Sequence, residues 1–208
     1  NDGIELIAER LSRRTEGMVT GLNLGANKTS PDKAADFANV LTQCAPFVDF
    51  ATVNVSSPNT EKLRELQGKA ALFALLNGVM EARSALRKFI PVFLKIAPDL
   101  NTNQLDEIIE LIVQTNIAGV IASNTSISRS ELKTSKEALA AIGNGGLSGK
   151  PLKSKSTEVI RYLSKQSNKA FPIIGVGGIH SAEDALEKID AGADLLQIYT
   201  GFVYEGPA

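Results

Sequence analysis

Side chains able to donate, accept or relay protons are concentrated at Asn54-Val55-Ser56-Ser57-Pro58-Asn59-Thr60. They follow an apolar, strand-like run, Phe50 to Val55, and ligands in α/β proteins sit outside the carboxyl ends of parallel strands. Ser, Pro and Asn are also the ordinary turn formers, so a capped turn is the competing reading. Ser123-Asn124-Thr125-Ser126 repeats the arrangement after Gly119 to Ala122. Gly177-Gly178 and Thr200-Gly201 offer different chemistry, because backbone N–H groups freed by glycine can reach a phosphate at a helix start. Lys95 interrupts the apolar run Val92 to Ala97. An ammonium there needs a ligand, or a buried carboxylate as partner, to offset its desolvation.

Other motifs fail on their residues. Gly175-Val176-Gly177-Gly178-Ile179-His180 has histidine where a dinucleotide fingerprint needs its last glycine. Gly149-Lys150 is followed by Pro151, and Asn144 stands where a P-loop begins. His180 is the single histidine, which removes histidine-rich metal sites and the usual triads. Its place just past a glycine turn reads as a solvated turn residue.

The elements that must position these groups alternate in period. Strand-like runs fall at 21–25, 50–55, 91–98, 119–122, 172–178 and 195–201, and helical spacing falls between them. Ala34, Phe37, Leu41 and Cys44 mark one helix face, with Ser30 before Pro31 as its cap and Cys44 as a core residue. A helix is expected over 70–88, another capped by Thr102 or Asn103, a third around Val159 to Leu163, and a fourth from Ser181 to Gly192. A long polar, glycine-rich connection follows Ser126 and contains Gly145 to Pro151. Six such units argue a parallel sheet with right-handed crossovers, its strands apolar on both faces. Asn23, Asn54, Ser57, Asn59, Ser123, Asn124, Thr125, Gly178 and Thr200 would then share the rim of a (β/α)8 barrel. Six is two short of eight. The expectation is a TIM barrel with about six of its strands present, against an open doubly wound sheet.

The 208 residues suit one globular domain, 1–208, with 43% hydrophobic and 22% charged residues. A net charge of −1 gives no overall field for nucleic acid or an anionic membrane. No apolar run is long enough to span a membrane. A lone cysteine excludes an internal disulfide.

Nine stretches together resemble one family: NLGANKTS (23–30), NVSSPNT (54–60), LRELQGKA (63–70), VFLKIAPDL (92–100), SNTS (123–126), GGLSGKPL (145–152), IIGVGGI (173–179), DALEKI (184–189) and QIYTG (197–201). They look like class 2 dihydroorotate dehydrogenase, and they run along the chain in that family's order. The resemblance implies an FMN-dependent (β/α)8 barrel that oxidises dihydroorotate to orotate in pyrimidine synthesis and passes electrons to a membrane quinone. It further implies a peripheral place on the cytoplasmic face of a bacterial inner membrane, or on the mitochondrial inner membrane. Ser57 matches the catalytic base, where class 1 enzymes carry cysteine. Asn54, Asn59, Asn124 and Thr125 match substrate contacts. Asn23, Asn54, Lys95, Ser123, Gly149, Gly178, Tyr199 and Thr200 match FMN contacts, with Lys95 balancing the reduced ring and the glycines and Thr200 holding the phosphate. Residues 61–69 match a lid, with Thr60 the nearest proton relay. The family's membrane-associated segment, first two strands and last helix have no match here, which implies a partial barrel. Another FMN barrel oxidising a different acid, and a non-catalytic phosphate-binding remnant, stay open as alternatives.

Overall fold

The computed structural model describes residues 2–27, 30–56, 68–130 and 132–207. Its strands are β1 (Gly21–Leu24), β2 (Phe50–Asn54), β3 (Val92–Ile96), β4 (Gly119–Ala122), β5 (Ile173–Val176) and β6 (Leu195–Gln197). Helix α1 (Ile4–Ser12) precedes them. Helices α2 (Lys33–Cys44), α3 (Lys69–Ser84) and α4 (Thr102–Thr115) follow β1, β2 and β3. Helices α5 (Lys136–Ile142) and α6 (Lys153–Gln166) follow β4, α7 (Ala182–Asp190) follows β5, and α8 (Thr200–Glu205) follows β6. All pairings are parallel, and the order in the sheet is the order in the chain. That order decides between the two architectures, because a doubly wound sheet reverses at a switch point and this one does not. The sheet is an incompletely closed (β/α)8 barrel with six of the eight strands.

The register divides the strand residues into two layers. Leu24, Val53, Leu94, Val120 and Ile173 stand side by side across five strands, each at most 1% exposed, and pack with helix residues such as Phe37, Leu41, Leu76 and Ile160. The neighbouring row, Asn54, Lys95, Ile121 and Ile174, lies on the opposite face. As expected, β4 and β5 are apolar and buried along their whole length, whereas β2 and β3 bring Thr52, Asn54 and Lys95 to the inner face, beside the small cluster Ile121, Ile174, Val176 and Phe93. A one-residue slip of β3 would exchange Leu94 for Lys95 and press an ammonium against the helices. Burying each large outer side chain is worth roughly 1.5–3 kcal/mol, so the outer row fixes the register and the inner face inherits it.

Helix boundaries follow local capping. Asp32, not Ser30, caps α2 by accepting from the Ala35 N–H, and Asn101, not Thr102 or Asn103, forms a capping box with Gln104 at α4. Helix α3 stops at Ser84 rather than reaching Lys88. Ser181 caps α7 as expected, and Gly192 follows its end with φ +110°. Helix α5 lies inside the stretch read as connection. None of its residues is buried, and seven residues are too few for a helical period to stand out in the sequence. Cys44 is fully buried in α2, as its helical spacing predicts.

At the opposite end of the strands, Asp49 just before β2 is clamped by Arg14 at 2.6 and 3.0 Å and by the Thr20 N–H at 2.8 Å. The Arg14 guanidinium holds the Asp49 carboxyl at about 2, below its ordinary 3.8. The folded state therefore binds that proton more weakly than the unfolded chain. The contribution of Asp49 to stability is present above about pH 4 and is lost as pH falls toward 2. Asp49→Asn is expected to flatten the fall in thermal midpoint across that window; an unchanged profile would assign the acid sensitivity to other carboxylates.

Candidate functional site

The carboxyl ends of the strands surround a cavity of about 640 Å3. On one side the ends of β2 and β4 meet through three side chains. Ser56 Oγ lies 3.0 Å from Asn54 Oδ1 and 3.0 Å from the Lys95 carbonyl, and Asn124 Nδ2 donates to Ser56 Oγ at 2.9 Å and to Asn54 Oδ1 at 3.2 Å. Two backbone donors fix which way the carboxamides face: Ser56 N–H meets Asn54 Oδ1 at 3.3 Å, and Thr125 N–H meets Asn124 Oδ1 at 2.8 Å. An N–H can only donate, so both contacts must be to oxygen. The single hydroxyl proton of Ser56 serves either Asn54 or Lys95 at one moment. The cluster thus has a movable proton in a dry place, since Ser56 is fully buried.

Lys95 enters the same cavity from β3. Burial alone lowers its pKa, and no carboxylate among the described residues pairs with it. The buried ion pair that would make it structural is absent there, and the ammonium remains suited to a negative or electron-rich group of a ligand.

The other side of the cavity is built by backbone. Gly178 has φ +74°, and a Cβ on it would stand 2.4 Å from Lys153 Cα, so only glycine lets the turn after β5 lie on the start of α6. Gly149, at φ +80°, faces Thr200, whose Oγ1 donates to Ser148 Oγ at 3.1 Å. Helix α8 begins at Thr200, where first-turn N–H groups have no partner within the helix. Glycine turns, a hydroxyl pair and a helix start on one wall form a cradle for a phosphate-sized anion. With Lys95 and the inner strand face, the cavity fits an elongated cofactor with a flat polar ring and a phosphate, as FMN has.

Asn23, Asn54, Lys95, Ser123, Asn124, Thr125, Gly149, Gly178, Tyr199 and Thr200 all line this one cavity. Ser57, Asn59, Thr60 and residues 61–67 of the expected lid lie outside the described residues. Residues 68 and 69 are described: Gly68 caps α3 and Lys69 opens it, paired with Glu110 at 2.6 Å. The rim also contains residues that the sequence reading passed over. Thr52 and Gln197 line the cavity from inside β2 and β6, and Ser56 joins the carboxamides. Strand alternation would have found Thr52 and Gln197, because each stands two positions from a residue that was recognised. His180 is not solvated: its side chain is 9% exposed, beneath the Gly149 loop and α8. Among the described residues neither ring nitrogen has a hydrogen-bond partner, and Glu205 Oε1 stands 3.8 Å from Nδ1.

Comparison with known proteins gives one family. The profile described as "Dihydroorotate dehydrogenase" matches residues 1–208. "Dihydroorotate dehydrogenase (quinone)" of Cereibacter sphaeroides is 54% identical over 207 residues, which are 99% of this chain and 57% of that protein. The protein of the same name from Christiangramia forsetii is 52% identical over 210 residues, 100% of this chain and 60% of its own length. The crystal structure of DHODH from Eimeria tenella in complex with ferulenol superposes with a TM-score of 0.90 at 30% identity, covering 100% of this chain and 61% of that one. The chain thus spans about three-fifths of the length of the curated relatives it matches.

Proposed function

We propose, from the premise that this chain belongs to the dihydroorotate dehydrogenase family, that it forms the FMN-binding part of an enzyme that oxidises dihydroorotate to orotate with a quinone as final electron acceptor. The observation that carries the reading is one cavity with two chemically distinct walls. Carboxamides and a buried hydroxyl gather at the ends of β2 and β4, and a glycine-built anion cradle lies at the ends of β5 and β6.

When bound, FMN supplies the two-electron acceptor for the hydrogen that leaves C6 of the substrate. Gly149, Gly178 and Thr200 would hold its phosphate, and Lys95 would place positive charge against its ring. Asn23, Ser123 and Tyr199 complete the wall. Asn54, Asn59, Asn124 and Thr125 would orient a substrate that is itself a cyclic imide with a carboxylate, since carboxamides both donate to and accept from such a ring. Ser57 would take the C5 proton and Thr60 would pass it on. Mutual hydrogen bonds with Ser56 hold the Asn54 and Asn124 amides in place before substrate arrives. A quinone acceptor places the enzyme at a membrane surface, the cytoplasmic face in a bacterium. Among the described residues no helix is long and apolar enough to cross a membrane.

The test is to purify the full-length protein, record its flavin spectrum, and add dihydroorotate without oxygen. Bleaching of the flavin, with recovery by a soluble quinone and not by NAD or fumarate, is expected. A yellow protein bleached by a different hydroxy or amino acid would transfer the reading to another FMN oxidoreductase. A colourless protein that binds no FMN would overturn it.

A further inference from the structure

Helix α7 carries a lysine on its packed face. Lys188 has no exposed surface. Its ammonium donates to the Lys153 carbonyl at 2.7 Å and to the Thr157 hydroxyl, both in the first turns of α6. An ammonium is retained in such a place only against a large desolvation cost, and a methionine would fill the same space without it.

The residues that Lys188 holds are those on which the anion cradle rests. Gly178 lies directly on the Lys153 backbone. Ser156 donates to the Gly177 carbonyl at 2.9 Å. The Lys153 ammonium pairs with Asp184 at 2.6 Å and Glu187 at 2.9 Å, and Asp184 accepts the His180 N–H at 2.9 Å. Residues 177–180 are therefore held from beneath by Lys153, Ser156 and Asp184, and Lys188 binds α7 to the first of these.

We propose that Lys188 is a positioning residue for the anion cradle: bonded to Lys153 and Thr157, its buried ammonium fixes the bed under Gly177 and Gly178 and sets positive charge beneath a bound phosphate. The inference rests on the phosphate-site reading above and adds the group that supports it. Glu187 and Asp184 on α7, and Lys153 and Arg161 on α6, are the charged groups acting on it. Burial pushes the Lys188 ammonium down to about 8, against the attraction of Glu187. The support beneath the cradle therefore loses a charge within an accessible pH range. Lys153, held by Asp184 and Glu187, is raised and stays charged.

The sign of the effect separates two roles. A phosphate dianion favours the charged ammonium, so FMN affinity falls as pH rises through about 8. Stability of the ligand-free fold moves the other way. Lys188 holds its proton more weakly when folded, at about 8, than at its ordinary 10.5, so stability rises between those values.

The experiment measures the binding of FMN and of riboflavin, which lacks the phosphate, to the full-length enzyme stripped of flavin, from pH 7 to 9.5. Flavin fluorescence is the readout. The preference for FMN over riboflavin is expected to fall at least about fivefold across this range in wild type. In Lys188→Met it is expected to start about tenfold lower and to be flat. A wild-type preference that does not change with pH, or a full preference in Lys188→Met, overturns the proposal. Equal binding of the two flavins by wild type at pH 7 overturns the phosphate site itself, and the proposal with it. If Lys188→Met does not fold, the wild-type titration decides, with Thr157→Val, which removes one acceptor of the ammonium, expected to lower the preference in the same direction.

Discussion

Ser57→Ala in the full-length enzyme is expected to leave FMN bound and to slow flavin reduction by dihydroorotate at least about a hundredfold, the low end for a lost acid–base group. Serine is a poor base in water, and its use requires a site from which water is excluded. The residue before it meets that requirement: Ser56 is fully buried and bonded to Asn54, Asn124 and the β3 backbone. Ser57 itself lies outside the described residues, so its role rests on its place in the sequence and on family membership. Anaerobic stopped-flow reduction is the measurement. A rate near wild type would make Ser57 a turn residue and place the base elsewhere.

Lys95→Met should change binding and stability in opposite directions. Losing the cation that faces the ligand is expected to weaken FMN binding about ten- to a hundredfold, the equivalent of roughly 1.4–3 kcal/mol for a charged hydrogen bond. The flavin midpoint potential should fall as well, because an uncharged chain cannot balance negative charge on the ring. The ligand-free protein should melt higher, since burial already disfavours the charged form of Lys95 and methionine has no charge to desolvate. Dialysis against apoprotein, redox titration and calorimetry read the three effects separately. Unchanged binding with a lower melting temperature would make Lys95 a structural residue.

Much of this was legible in the sequence because the outer layer of the barrel is made by side-chain volume alone. The runs around Val53, Leu94 and Val120 announce buried strands, and Lys95 stands out among them because nothing apolar explains it. The carboxamide clusters at Asn54 and Asn124 are visible as polar residues that end apolar runs. Thr52 and Gln197 are less visible, since a polar residue inside a strand reads as its solvent face until the sheet is known to curl around a cavity. Lys188 is hidden for a related reason: a lysine in an amphipathic helix is ordinarily solvated, and only the approach of α6 buries it. Caps moved by one or two positions because Ser30, Asp32, Asn101 and Thr102 all have the chemistry, and the helix start is chosen by packing.

Strand order that follows chain order also bears on how the protein is made. From β2 to β6 each strand pairs with the one synthesised just before it, so these βα units can dock in the order in which they leave the ribosome. The cavity is built differently. Asn23 comes from the first of these strands and Thr200 follows the last, so its two walls face one another only after every unit between them has docked. Cofactor capture during synthesis would therefore come late, and an added flavin would report that assembly has reached β6 rather than drive the earlier steps.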